Sequence, residues 1–314
     1  MTTDRCDESV TVGLRLPHEL QHDRERLAAF IALADDAGLD RLCVGDHVTF
    51  RGGQGFDGLQ YATAAAVLAT SITIQTAVYL LPLRHPVPVA RQLATVAALA
   101  PGRFVFGVGV GGEDPAEFHA CGVDPRSRGA RTDESLTVLR ALLAGGPVSH
   151  RGRFFDLDCI RIDPVPAEPV PVVIGGRSRA ALRRTARLGD GWLGVWVSPD
   201  RFRQAVADIA ADAAGLGRGP VHWRHGLQVW CGFDPDRHAA HELLAQQMGA
   251  LYQLPFAKFA AYSPFGSPHG IAAALRPYVD AGCRSFNLIA VADEPERTVE
   301  AASVVRSLLV EWTS

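Results

Sequence analysis

The sequence holds one lysine, Lys258, among 31 basic residues, so nearly all of its positive charge is arginine. Schiff-base chemistry has that single candidate, and it lies in an aromatic segment with no evident partner. Net charge is −3 with a pI near 6.4, which gives no footprint for nucleic acid or an anionic membrane. Six cysteines, Cys6, Cys43, Cys121, Cys159, Cys231 and Cys283, stand far apart and form no C-x-x-C pair. That spacing argues against a disulfide framework or a zinc site. Cys43, Cys231 and Cys283 fall in or beside apolar stretches, where a thiol serves as a small hydrophobe. No apolar run approaches the roughly 20 residues of a membrane span. The opening "MTTDRCDESV" is acidic and polar, unlike a secretory signal. H-E-x-x-H, G-x-S-x-G and P-loop motifs are lacking, and "HAAHE" (His238–Glu242) fits a solvated helix face better than a metal site. These absences predict a soluble, reduced, cytoplasmic protein with no metal.

What is present is a regular alternation. With 314 residues, 47% of them hydrophobic and 21% charged, the chain can fill one large α/β barrel or two ordinary domains. "VTVGLRL" reads as a strand, and Leu27, Phe30, Ile31 and Ala34 follow at helical spacing up to Gly38. "RLCVGD", "ITIQTAVYL", "RFVFGVG", "VPVVIGG", "DGWLGVW", "HWRHGLQVWCGF" and "SFNLIAV" supply further strands, each followed by a helical pattern. "VSHRGRFFDLDCIRI" adds a hairpin turning at Arg151-Gly152. Eight strand–helix units predict a single (β/α)8 barrel domain over residues 1–314. Excess length falls in βα loops and neighbouring segments at Thr49–Gly58, Ala144–Pro169 and Tyr252–Ser267.

Barrel active sites form where strands end. "RLCVGDHVTF" is buried-strand material that runs straight into Asp46 and His47. The pair is either a satisfied corner, with Asp46 accepting backbone N–H groups, or a site in which the carboxylate fixes the imidazole. "GVGVGG" (Gly107–Gly112) matches G-x-G-x-x-G, but Glu113-Asp114-Pro115 separates it from any helix, so a dinucleotide fingerprint is the weaker reading. A Gly-rich loop at a crowded rim, or a bed for a flat ring, fits as well. "VIGGRSRAAL" ends a strand in Gly175-Gly176 and opens a helix at Ser178. That arrangement is a ready phosphate site at a helix N-terminus, with Arg177 and Arg179 adding charge; the plainer alternative is a tight turn and an N-cap.

At "TAVYLLPLRHPVPVARQLATVAALAPGRFVFGVGVGG" the sequence resembles the bacterial luciferase-like family of (β/α)8 enzymes, which use FMN or the deazaflavin coenzyme F-420. The likeness runs from Val10 to Leu309 through "VGDHV", "RGARTDESLTVLRALL", "VPVVIGGRSRAALRRTARLGDGW" and "GSPHGIAAALRPYVDAGCRSFNLIAV". The resemblance implies that Asp46 and His47 lie beside the ring of the cofactor. It implies that Ala77-Val78 is the third-strand bulge, where a non-proline cis peptide often supports that ring. Gly109, Gly111 and Gly112 match the loop beside the cofactor, and Gly175, Gly176, Arg177 and Ser178 match its phosphate site. Trp192 matches a family position that serves equally as core. Members that oxidise glucose 6-phosphate carry a catalytic glutamate where Gly112 stands here, and they bind the sugar phosphate through lysines. The aromatic segment "YQLPFAKFAAYSPFGSP" suits a lid over an apolar or aromatic small-molecule substrate, or aromatic packing. Three functions follow from the resemblance: hydride transfer with coenzyme F-420, monooxygenation with reduced FMN, or flavin binding without catalysis. It also implies a homodimer.

Overall fold

Strands buried on both faces in a parallel sheet read as continuous apolar runs rather than alternating ones. "FVFGVG" is such a run, and all six of its residues are buried. The structure, a computed structural model, describes residues 9–53 and 55–313. Cys6 and most of the polar N-terminal stretch lie outside the described residues.

Along the chain come β1 (Thr11–Arg15), α1 (Arg24–Asp36), β2 (Arg41–Val44) and α2 (Gly58–Leu68). The third strand is broken into β3 (Thr73–Thr76) and β4 (Tyr79–Leu80), and α3 (Pro86–Leu99) follows. Next are β5 (Phe104–Gly109), α4 (Pro115–Ala120), α5 (Arg128–Leu143) and the hairpin β6 (Val148–Arg151) with β7 (Asp156–Ile160). The second half holds β8 (Val172–Gly175), α6 (Arg179–Leu188), β9 (Gly191–Val195) and α7 (Pro199–Gly215). It ends with β10 (Gly226–Phe233), α8 (Arg237–Tyr252), β11 (Phe265–Gly266), α9 (Pro268–Asp280), β12 (Ser285–Val291) and α10 (Pro295–Glu311). Strand order is β10-β12-β1-β2-β3-β5-β8-β9, and β9 pairs with β10, so the parallel sheet closes as an eight-stranded (β/α)8 barrel. The register sets Leu14 beside Leu42 on one side and Leu288 on the other.

Compactness divides the chain into two units. Among the described residues, one comprises 9–43, 193–208 and 224–313; the other comprises 44–53, 55–192 and 209–223. In the first, Trp230, Leu244, Met248, Phe256, Phe259, Ile289 and Val291 form a buried cluster. Trp230 Nε1 donates to Tyr252 Oη at 3.0 Å. Phe256 and Phe259 come from the segment that suited a lid, and both are spent on this packing. The lid expectation is corrected for these two rings. Burial pushes the thiols of Cys43 and Cys283 up to about 12, so they remain neutral hydrophobes.

In the second unit the hairpin forms as expected. Its turn hangs on Glu134 of α5, which accepts from the N–H groups of Arg153, Phe154 and Phe155. The helix α4, capped by Asp114 through Ala116 N–H, is absent from the sequence expectations. It lies within the stretch that separates "GVGVGG" from α5.

Candidate functional site

Asp46 follows β2 and turns inward. Its side chain is buried, and both oxygens are filled by four donors. Oδ1 accepts from Gly58 N at 2.8 Å and Arg84 Nη2 at 2.8 Å; Oδ2 accepts from Leu80 N at 2.8 Å and Arg84 Nη1 at 2.6 Å. The guanidinium sits 4.5 Å from the centre of the Tyr79 ring. Burial pushes the Asp46 carboxyl up, while Arg84 and the two backbone N–H groups pull it down. Only a carboxylate can accept from all four donors, so the pair is in its charged form. Asp46 therefore does not touch the imidazole of His47. The expectation that it fixes that ring is corrected: the residue is the satisfied corner, tying the start of α2 to the end of β4.

His47 turns the other way and finds a different carboxylate. Its Nδ1 lies 3.1 Å from Glu117 Oε2 on α4. The other Glu117 oxygen accepts from Val48 N at 2.7 Å and Thr49 N at 3.3 Å. Glu117 is 3% exposed and the His47 side chain 22% exposed. Phe50 stacks on the imidazole with centroids 4.1 Å apart. Arg51 N donates to Asp114 at 2.8 Å, so residues 48–51 of the loop after β2 are fastened to α4 and its cap. A Cβ on Gly55 would stand 2.6 Å from His47 Cβ, and this close approach requires glycine there.

The glycine-rich stretches have a packing role of their own. The Ala77–Val78 peptide bond is cis. The Val78 side chain occupies the space above two glycines: a Cβ on Gly109 would overlap its Cγ2, and one on Gly175 would lie 2.8 Å from its Cγ1. β5 and β8 are adjacent strands, so both glycines serve one valine. Gly111 lies against the Phe118 ring, and Gly112, at φ +119°, lies 3.3 Å from Arg128 Nε where its Cβ would be.

At the second diglycine, Gly176 has φ +120°, a conformation that L side chains rarely adopt. Its carbonyl accepts from the buried Trp192 Nε1, which makes Trp192 a core residue that holds this turn. Ser178 caps α6 by accepting from Ala181 N at 3.2 Å. The first turn of α6 carries no acidic residue and its cap is neutral. The chemistry of this donor set fits a phosphate: a helix start presents N–H groups, and its dipole favours an anion. Arg179 is paired with Asp212 at 3.0 Å. Among the described residues no cluster of three or more His, Cys, Asp and Glu side chains could hold a metal, and no helix is long and apolar enough to cross a membrane.

Sequence reasoning missed two residues. Arg84, in "PLRHP", lies 38 positions from Asp46, and Glu117 lies 70 positions from His47. A buried aspartate demands a cation, and "LPLRHP" at the end of the neighbouring third strand holds an arginine. Glu117 had a weaker signal, a short capped helix following the fourth strand.

Residues 10–307 match the family described as luciferase-like monooxygenase, and the chain belongs to that family. It is 34% identical over 235 residues to an F420-dependent glucose-6-phosphate dehydrogenase of Beutenbergia cavernae, covering 72% of this chain and 69% of that protein. An F420-dependent hydroxymycolic acid dehydrogenase of Mycobacterium tuberculosis is 29% identical over 235 residues, 73% of this chain and 64% of its own length. An uncharacterised protein of Mycobacterium tuberculosis is 34% identical over 146 residues, and that match spans about half of each chain. Among solved structures, an F420-dependent secondary alcohol dehydrogenase in complex with an F420-acetone adduct superposes with a TM-score of 0.83 at 21% identity, over 96% of this chain and 99% of that one. A type II Baeyer-Villiger monooxygenase in complex with FMN, from Pseudomonas putida, gives 0.77 at 15% identity over 96% and 98%. At these identities the superpositions speak for the fold.

Proposed function

We propose that this chain is an oxidoreductase that moves a hydride between coenzyme F-420 and a small apolar or aromatic organic substrate. The observation that carries the reading is His47, a partly exposed imidazole at a strand end, fixed through Nδ1 by a buried carboxylate. The names of the dehydrogenase relatives support the same cofactor. When bound, the deazaflavin supplies a hydride acceptor or donor. The protein supplies the proton site. The imidazole is suited to taking a proton from a substrate hydroxyl as the carbonyl forms, or returning it in reverse. Gly175, Gly176, Arg177 and Ser178 bind the cofactor phosphate, and Gly109, Gly111, Gly112, Ala77 and Val78 shape the wall beside the ring. A sugar phosphate is disfavoured as substrate, because Gly112 stands where glucose-6-phosphate-oxidising members carry a glutamate and the chain has a single lysine.

The second reading is an FMNH2-dependent monooxygenase, since the same anion site suits the FMN phosphate. Thermal-shift titration with each cofactor tests the two. Stabilisation by coenzyme F-420, with substrate-dependent bleaching of the deazaflavin, is expected. Oxygen uptake with reduced FMN alone would favour the monooxygenase; binding of either without turnover would leave a flavin-binding homologue. A single-domain homodimer in the cytoplasm belongs to the same proposal, and sedimentation velocity tests the dimer.

A further inference from the structure

We propose that Glu117 is a positioning residue that fixes His47 with its proton on Nδ1 and so presents the Nε2 lone pair for proton transfer. The proposal rests on the functional reading above and goes beyond it by assigning the ring's tautomer and the group that sets it. Glu117 is fastened before it meets the ring. Val48 N–H and Thr49 N–H both donate to Oε1, so the carboxylate cannot rotate away without abandoning two backbone donors. Oε2 is left pointing at Nδ1. A carboxylate oxygen in this setting accepts, and the ring nitrogen facing it must donate. The Phe50 ring on the imidazole face fixes the plane, and Gly55 leaves room behind His47 for that placement.

Glu117 reaches the ring from α4 and meets it on the Nδ1 side. The alternative is a structural clamp in which Glu117 merely ties down the loop after β2. Isosteric replacement separates the two. In Glu117→Gln the amide oxygen can keep both backbone donors, but the amide N–H2 then faces Nδ1 and forces it to accept. The clamp survives while the proton moves to Nε2.

The test is nitrogen-15 NMR of the His47 ring in the cofactor-free protein, at a pH where the ring is neutral. The wild type should show a protonated Nδ1 and a bare Nε2, and Glu117→Gln the reverse. In turnover assays kcat of Glu117→Gln should fall at least tenfold with KM and melting temperature little changed, and Glu117→Asp should recover part of the loss. A bare Nδ1 in the wild type overturns the proposal. So does a reversed tautomer in Glu117→Gln with wild-type kcat. The NMR arm needs no cofactor, so it decides the assignment of the tautomer even if the cofactor assays sink the functional reading.

Discussion

Asp46 and His47 are consecutive residues at the end of one strand, and their surroundings differ in one respect. Every acceptor site of Asp46 that points into the protein is filled, by four donors from α2, β4 and Arg84. His47 has one nitrogen anchored and a ring still partly open to ligand. The comparison separates a polar group the fold uses up from one the fold aims. Burial and charge alone would have ranked Asp46 as the functional residue. Its partners make it architectural.

The largest effect should come from breaking the corner. Asp46→Asn keeps the shape but turns an amide N–H towards the guanidinium and leaves the largely buried Arg84 with the more exposed Asp57, at 3.2 Å, as its remaining charge partner. Removing one member of such a pair costs about 3–5 kcal/mol. Urea unfolding should show a loss of that order. The double variant Asp46→Asn/Arg84→Met should be less damaged than the sum of the singles, because the under-paired charge is gone. A loss below about 1 kcal/mol in Asp46→Asn would erase the distinction between the two neighbours.

The converse variant is His47→Asn. Its amide N–H can still donate to Glu117 from near the Nδ1 position, and Nε2 is removed. Turnover should fall by more than tenfold, within the 10²–10⁴ range of general acid–base groups, while unfolding free energy changes by about 1 kcal/mol or less. A stable variant with wild-type kcat would make the imidazole a bystander.

The glycines sharpen the contrast on the packing side. If Gly175 is glycine to admit Val78, then Gly175→Ala should lose about 1–3 kcal/mol by overpacking. Val78→Ala should relieve most of that loss, so that Gly175→Ala costs little in the Val78→Ala background. Equal costs in both backgrounds would remove Val78 as the reason for the glycine.

How much of this was legible in the sequence follows from range. Strands and helices are set by local pattern, so "FVFGVG" and the Ser178 cap were readable, and the barrel followed from eight repetitions of one unit. The Asp46-His47 pair was placed correctly at a strand end by the same logic. Its partners were not readable, because Arg84 and Glu117 reach it only once separate βα loops are brought together. For the segment Tyr252–Pro268 the sequence left a lid and aromatic packing both open, and the fold decides for Phe256 and Phe259, which pack with Trp230 and Met248. For the two glycine stretches the motif suggested a ligand; that Gly109 and Gly175 also make room for Val78 is something no linear motif reveals.

A second histidine gives the finest test of the difference between a ring that is aimed and one that is used up. His225, just before β10, is shielded, and burial lowers its pKa from 6.5 to about 4. Folded, it is neutral above that value; unfolded, it binds a proton below its ordinary range near 6.5. Between about pH 4 and pH 6.5 the unfolded state therefore holds more protons, and stability rises with pH by up to about 1.4 kcal/mol per unit from this residue alone. Above 6.5 its contribution is level, and below 4 the loss is complete. His225→Gln cannot titrate, so the wild-type-minus-variant difference in unfolding free energy should climb across that window and flatten on both sides. A difference that stays flat from pH 4 to 6.5 would mean that the folded protein accepts the proton at His225 as readily as the unfolded chain does. The ring would then be open to solvent protons, and the contrast with His47 would have to rest on Glu117 alone.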